Sequence, residues 1–209
     1  MISFKAKIDY LNNLKVDDSP YAQSVVSSLQ QATYIQLAHY NRAQFKLAEE
    51  MEVVAEIKNV SKMQLKLFEI NTDNYFRKNM ANFSSDINLD GLIAKHEQEL
   101  NYADKPSNLR HTETFKFPQF NGQRGLFVIE LIGNGLSTRA VVQKGSLSVI
   151  YKSTIAGHFA FILDEDKRIC KGTSTGLYFD NNFYTTDPQS GRIVIPFSRH
   201  SYSGKAILM

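Results

Sequence analysis

The feature that most restricts the fold is the run Gly125-Leu126-Phe127-Val128-Ile129-Glu130-Leu131-Ile132, closed by Gly133-Asn134-Gly135. A short, nearly continuous apolar run rich in β-branched and aromatic side chains reads as a buried strand. Gly and Asn reach positive φ at little cost, so Gly133-Asn134-Gly135 specifies a tight hairpin, with Ser137–Gln143 as the returning strand. The two glycines do not form a dinucleotide loop: position 138 is Thr, and strand rather than helix follows. Further short strand-like segments follow at Ser146–Tyr151, His158–Leu163, Arg168–Lys171, Gly176–Phe179, Asn182–Thr186 and Arg192–Phe197, with a turn at Asp164–Lys167. Short strands broken by Gly, Asn, Asp and Pro, with no helical crossovers between them, predict an antiparallel sandwich and disfavour a parallel sheet.

Upstream of this run the period changes twice. Residues 19–47 read as helix, with Ser19 as N-cap, Pro20 in the first turn, and Tyr21, Val25, Leu29, Ala32 and Ile35 as one apolar stripe. Glu52–Lys58 then alternates, Asn59–Lys62 reads as a turn, Met63–Ile70 as a second strand, and Thr112–Phe117 alternates again. Between Asn71 and Pro106 the chain is polar and irregular, with short helices expected at Tyr75–Asn82 and Leu92–Leu100. The expected fold class is mainly β: two antiparallel β-sandwich domains preceded by an N-terminal helix. The expected divisions are a helical segment at 1–47, one sandwich at 48–143 and a smaller one at 144–209.

Composition narrows the function. With 43% hydrophobic residues, 14 Phe and 10 Tyr, the chain can build a real core. The net charge is only +3 and the Lys and Arg residues are scattered. A nucleic-acid binder gathers them into a patch, so nucleic acid is not an expected partner. The single cysteine, Cys170, allows neither an intrachain disulfide nor a thiolate metal site, and reads as a small packing residue. No apolar run approaches the ~18 residues that span a bilayer, and the first residues lack the apolar core of a signal peptide.

Chemistry-bearing motifs are few. His39, His96, His111, His158 and His200 are widely spaced, with no paired histidines for zinc, no nucleophile elbow and no P-loop. His158 reads as a satisfied sandwich histidine, and Glu49/Glu50 and Asp164–Asp166 as solvated faces and turns. No set of residues looks like an active site, so a non-enzymatic chain is expected. The sharpest local match is Asp86-Ile87-Asn88-Leu89-Asp90-Gly91-Leu92-Ile93-Ala94-Lys95-His96-Glu97, which fits a calcium-loop pattern. Hard oxygens from Asp86, Asn88 and Asp90, the Leu92 carbonyl and a bidentate Glu97 would surround Ca²⁺, while Ile87 and Leu89 stand where such loops are polar. A calcium-binding module is therefore the alternative function; no other cofactor is expected.

Lys66–Arg77, Asp86–Leu92 and Gly125–Ala140 resemble a macroglobulin-type β-sandwich domain of large α2-macroglobulin-like proteins. Lys144–Met209, with Ala156-Gly157-His158 and Ile162–Asp166, looks like a smaller sandwich that follows it. The Gly-Cys-Gly-Glu-Gln thioester phrase of that family does not occur, nor does an obvious bait stretch. The resemblance implies a scaffold fragment of a larger secreted or cell-envelope protein. It also implies as partners the neighbouring domains of that chain and, through the parent, proteases.

Overall fold

Period-two alternation builds most of the architecture seen in the computed structural model, which describes residues 20–72, 74–75, 87–106, 109–155, 157–179, 182–197 and 207–208. One helix, α1 (Pro20–Gln31), precedes the strands β1 (Tyr34–Leu37), β2 (Gln44–Phe45), β3 (Glu52–Lys58), β4 (Lys62–Ile70), β5 (His96–Asn101) and β6 (His111–Lys116). The hairpin β7 (Gly125–Gly133) and β8 (Leu136–Lys144) follows, then β9 (Ser148–Thr154), β10 (Gly157–Leu163), β11 (Gly176–Phe179), β12 (Asn182–Thr185), β13 (Arg192–Ile195) and β14 (Ile207–Leu208).

Strands β1 to β8 form two sheets, β1-β3-β6 and β2-β8-β7-β4-β5. Every second residue of β3 (Val53, Ala55, Ile57) faces every second residue of β4 (Met63, Leu65, Leu67) and β7 (Phe127, Ile129, Leu131) across one core. Burying an aliphatic or aromatic side chain of this size contributes about 1.5–3 kcal/mol, so this layer is the main source of stability. The other face of β7 is buried too: Leu126 and Val128 pack with Phe68 and Ile70 beneath Leu89. Burial on both faces explains why β7 is a continuous apolar run. Asn134 and Gly135 close the hairpin with φ of 47° and 77°, and Asn134 Nδ2 donates to the Asn59 carbonyl at 2.6 Å.

Although adjacent in sequence, β3 and β4 belong to different sheets. The turn between them is therefore an arch, with Asn59 at φ 55° and Val60 turned into the core. Strands β9 to β14 form two further sheets, β13-β10-β9 and β12-β11-β14. Ala160, Ile162, Leu177, Ile193 and Ile195 make their smaller core.

Four expectations are corrected. The helix expected to run to residue 47 stops at Gln31; Tyr34–Leu37 and Gln44–Phe45 are strands of the first sandwich. Ile35 fits both a helical stripe and an alternating strand, and pairing with Ile57 of β3 decides for strand. Pairing is not wholly antiparallel, because β2 runs parallel to β8. The helix expected at Leu92–Leu100 is largely β5: residues with helical propensity are recruited by the open edge of β4. Arg168–Lys171 contributes only an isolated bridge, Ile169 to Leu163. Ser19 and residues 76–86, which hold most of the helix expected at Tyr75–Asn82, lie outside the described residues.

Candidate interaction surface

The expected calcium ligands are placed as follows. Asp86 lies outside the described residues. Asn88 Oδ1 accepts the Asp90 backbone N–H at 2.8 Å, an Asx turn that Gly91 completes at φ 79°. Leu92 N–H bonds back to the Leu89 carbonyl. Glu97 sits on β5 opposite Lys66, its carboxylate 3.8 Å from that ammonium. Strand thus stands where a calcium loop would lead into a helix. Among the described residues no three acidic, His or Cys side chains are grouped to hold a metal. Leu89, anomalous for a calcium loop, caps the outer face of the five-stranded sheet.

The remaining polar groups serve the framework. His158 Nδ1 lies 2.8 Å from Ser153 Oγ, and its ring stands edge-on to Phe197. Cys170 packs against the smaller core, where burial pushes its thiol pKa up; a raised thiol pKa disfavours the reactive thiolate. An open cleft of about 900 Å³ beside the β3–β4 arch is lined by Thr33, Asn59, Tyr102, Lys105 and His111. There Lys105 is paired with Glu113 and lies over the Tyr102 ring, while burial, aided by the Glu113 charge, pushes the Tyr102 phenol up to about 12. A phenol so displaced is a poor proton donor or acceptor at neutral pH.

Glu165 departs from the solvated turn expected of it. Its carboxylate accepts from Leu47 N–H at 2.9 Å, Arg124 Nη2 at 3.0 Å and Ser146 N–H at 3.4 Å, and its side chain is only 12% exposed. Burial alone would raise its pKa. The hydrogen bonds from Leu47, its own backbone, Ser146 and Arg124 outweigh that and hold it at about 2. Glu165 therefore ties the turn after β10 to both ends of the first sandwich's last hairpin.

Among the described residues, one sheet face carries exposed apolar side chains. In the sheet β13-β10-β9, Ala160, Ile162, Ile193 and Ile195 point into the small core. Alternation sends Phe159, Phe161, Val194 and Arg192 to the other face, beside Ile150 and Lys152 of β9. Ile150 and Val194 are 59% and 47% exposed, and the Arg192 guanidinium lies 5.1 Å from the Phe159 ring centre. The second sheet of this half leaves β9 uncovered on the core side too, so Tyr151 is 74% exposed. The sequence marked these three segments as strands, but their lateral register, which assembles the patch, was not legible from spacing.

Residues 63–145, from β4 through β8, match the family model described as the AbpF first immunoglobulin-like domain. The two-sheet packing of β1 to β8 agrees with an immunoglobulin-like sandwich. Over 184 residues the chain is 36% identical to actin-binding protein F of Dictyostelium discoideum, a match covering 88% of this chain. Crystal structures of Escherichia coli α2-macroglobulin spanning domains MG0-NIE-MG1 and NIE-MG1 are similar at TM-scores of 0.47 and 0.46, each at 12% identity. They cover 85% and 86% of this chain, and 63% and 97% of the respective solved chains. The match to actin-binding protein F spans 8% of that protein's length.

Proposed function

We propose that this chain is a non-enzymatic interaction segment of a larger protein similar to actin-binding protein F. In this reading it consists of two consecutive sandwiches, β1 to β8 and β9 to β14, meeting near Lys144–Ser146. The observation that carries the reading is the 36% identity over 88% of the chain, which runs through both groups of strands and so concerns the pair as a unit. The framework roles of His158, Cys170, Tyr102 and Glu165 support it, because the groups best suited to chemistry are engaged in packing or in joining elements. The open face of β9, β10 and β13 supplies a surface on which a partner could dock. Co-sedimentation of the purified chain with actin filaments tests the reading. Saturable binding is expected; a chain that stays in the supernatant at every filament concentration rejects actin as its partner.

The second reading keeps the same scaffold role within an α2-macroglobulin-like parent, and is favoured by the phrases Lys66–Arg77 and Gly125–Ala140. A thioester phrase in the flanking reading frame would decide for it.

A further inference from the structure

We propose that His111 is an acid-operated latch: on taking a proton it claims the Glu113 carboxylate and releases Lys105 from the wall of the cleft beside the β3–β4 arch. His111 opens β6 and lines that cleft. Its side chain is 16% exposed. Among the described residues neither ring nitrogen has a hydrogen-bond partner, and both are shielded from solvent. A neutral imidazole always carries one N–H, and an unmet buried donor is rare and costly in a folded protein. The carboxylate oxygen within reach is Oε1 of Glu113, 3.8 Å from Nε2. That same oxygen is held by the Lys105 ammonium. One oxygen thus stands between two nitrogens, and only the lysine has it.

The surroundings decide which nitrogen keeps the oxygen once His111 is charged. From β3 the ring faces Ile57, its cross-strand partner. Alternation sends Glu56 and Lys58 to the outer face, where Glu56 holds Arg110. From the loop after β5 the ring meets the edge of Tyr102, at 5.2 Å between ring centres, and shares the Glu113 oxygen with Lys105; Asp104 of that loop is exposed. Glu113 is therefore the carboxylate that these elements place at the ring. An imidazolium buried without it would be costly, since a buried charge needs a partner. Lys105 is 37% exposed and can return its ammonium to water, where such a pair is worth little. The proton thus moves the carboxylate from the exposed cation to the buried one. Lys105 then leaves the Tyr102 ring, over which it lies while paired, and the rim of the cleft gains a free ammonium.

Nuclear magnetic resonance of the ¹³C,¹⁵N-labelled chain tests this between about pH 8 and 5, the range in which histidine charge changes. As the His111 ring signals report protonation, the Lys105 side-chain and Tyr102 ring signals should move with the same midpoint. The Lys105 response should be lost in His111→Phe, which keeps an aromatic ring against Tyr102, and equally in His111→Gln, which serves if the first variant does not fold. In Lys105→Met the histidine should take its proton about half a pH unit higher than in the parent chain, because no ammonium competes for the oxygen. Lys105 signals that stay fixed while His111 titrates, a response that survives in a His111 variant, or an unmoved midpoint in Lys105→Met overturns the proposal. So does a His111 ring that takes no proton in this range. Loss of the whole amide pattern at the same midpoint overturns it too, since acid would then be unfolding the sandwich and not turning one side chain.

Discussion

Glu165 shows how much a single side chain can do when its donors come from distant parts of the chain. Its folded pKa of about 2 lies below the ordinary 4.5, so its stabilising effect is complete above about pH 4.5 and is lost as pH falls toward 2. Glu165→Gln keeps the shape but cannot accept from all three donors. At pH 7 it should cost about 2 kcal/mol, the worth of charge-assisted hydrogen bonds in a largely buried place. Urea unfolding of the two proteins should converge as the pH drops through that window; a constant difference from pH 7 to 2 would mean that the carboxylate charge is not what holds the turn. Nothing in Asp164-Glu165-Asp166-Lys167 announces this role, since an acidic turn and a buried acceptor look alike until Leu47, Arg124 and Ser146 are brought to it.

At the scale of elements, legibility followed the burial pattern. Strand β3 was readable to the residue because one face is buried and the other is not, and β7 because both faces are. Strand β5 was misread because His96-Glu97-Gln98-Glu99-Leu100 is mostly exposed; its conformation comes from pairing with β4, which no local pattern records. The Asp86–Glu97 segment shows one pattern of residues put to a structural use. Asn88, Asp90 and Gly91 form a turn there, and Leu89, out of place in a calcium loop, is the residue that anchors it. Leu89→Ala should therefore lower stability by about 2 kcal/mol, whereas Asp90→Asn should change it by no more than about 0.5 kcal/mol. Added Ca²⁺ should leave the melting temperature of the parent chain unmoved; a calcium-dependent rise abolished by Asp90→Asn would establish a calcium site in this segment.

At the scale of the whole molecule, two groups of strands with separate cores meet at a polar joint. Gly145 adopts φ 77°, and a Cβ there would lie 2.7 Å from Arg124 Nη1, the same side chain that reaches Glu165. Arg124→Ala removes that contact without disturbing either core. Calorimetry should then resolve two transitions where the parent chain shows one, the lower belonging to strands β9 to β14. A single unchanged transition would show that the two groups are coupled by other contacts. The candidate surface belongs to this scale too: its residues come from positions 150 to 194 and become neighbours only through sheet register.

The arch between β3 and β4 bears on how the chain emerges during synthesis. Because consecutive strands enter opposite sheets, β3 and β4 cannot satisfy each other, and each waits for partners made later: β6 for the first, β5 and β7 for the second. β2 waits longest, since it finds Gln143–Lys144 only when the first group of strands is nearly finished. Until then Val53 and Ile57 face Leu65 and Leu67 across the arch without the sheet neighbours that complete the core. The nascent chain therefore carries β3 and β4 with their core incomplete until β7 and β8 have emerged, the interval in which a chaperone would be needed most.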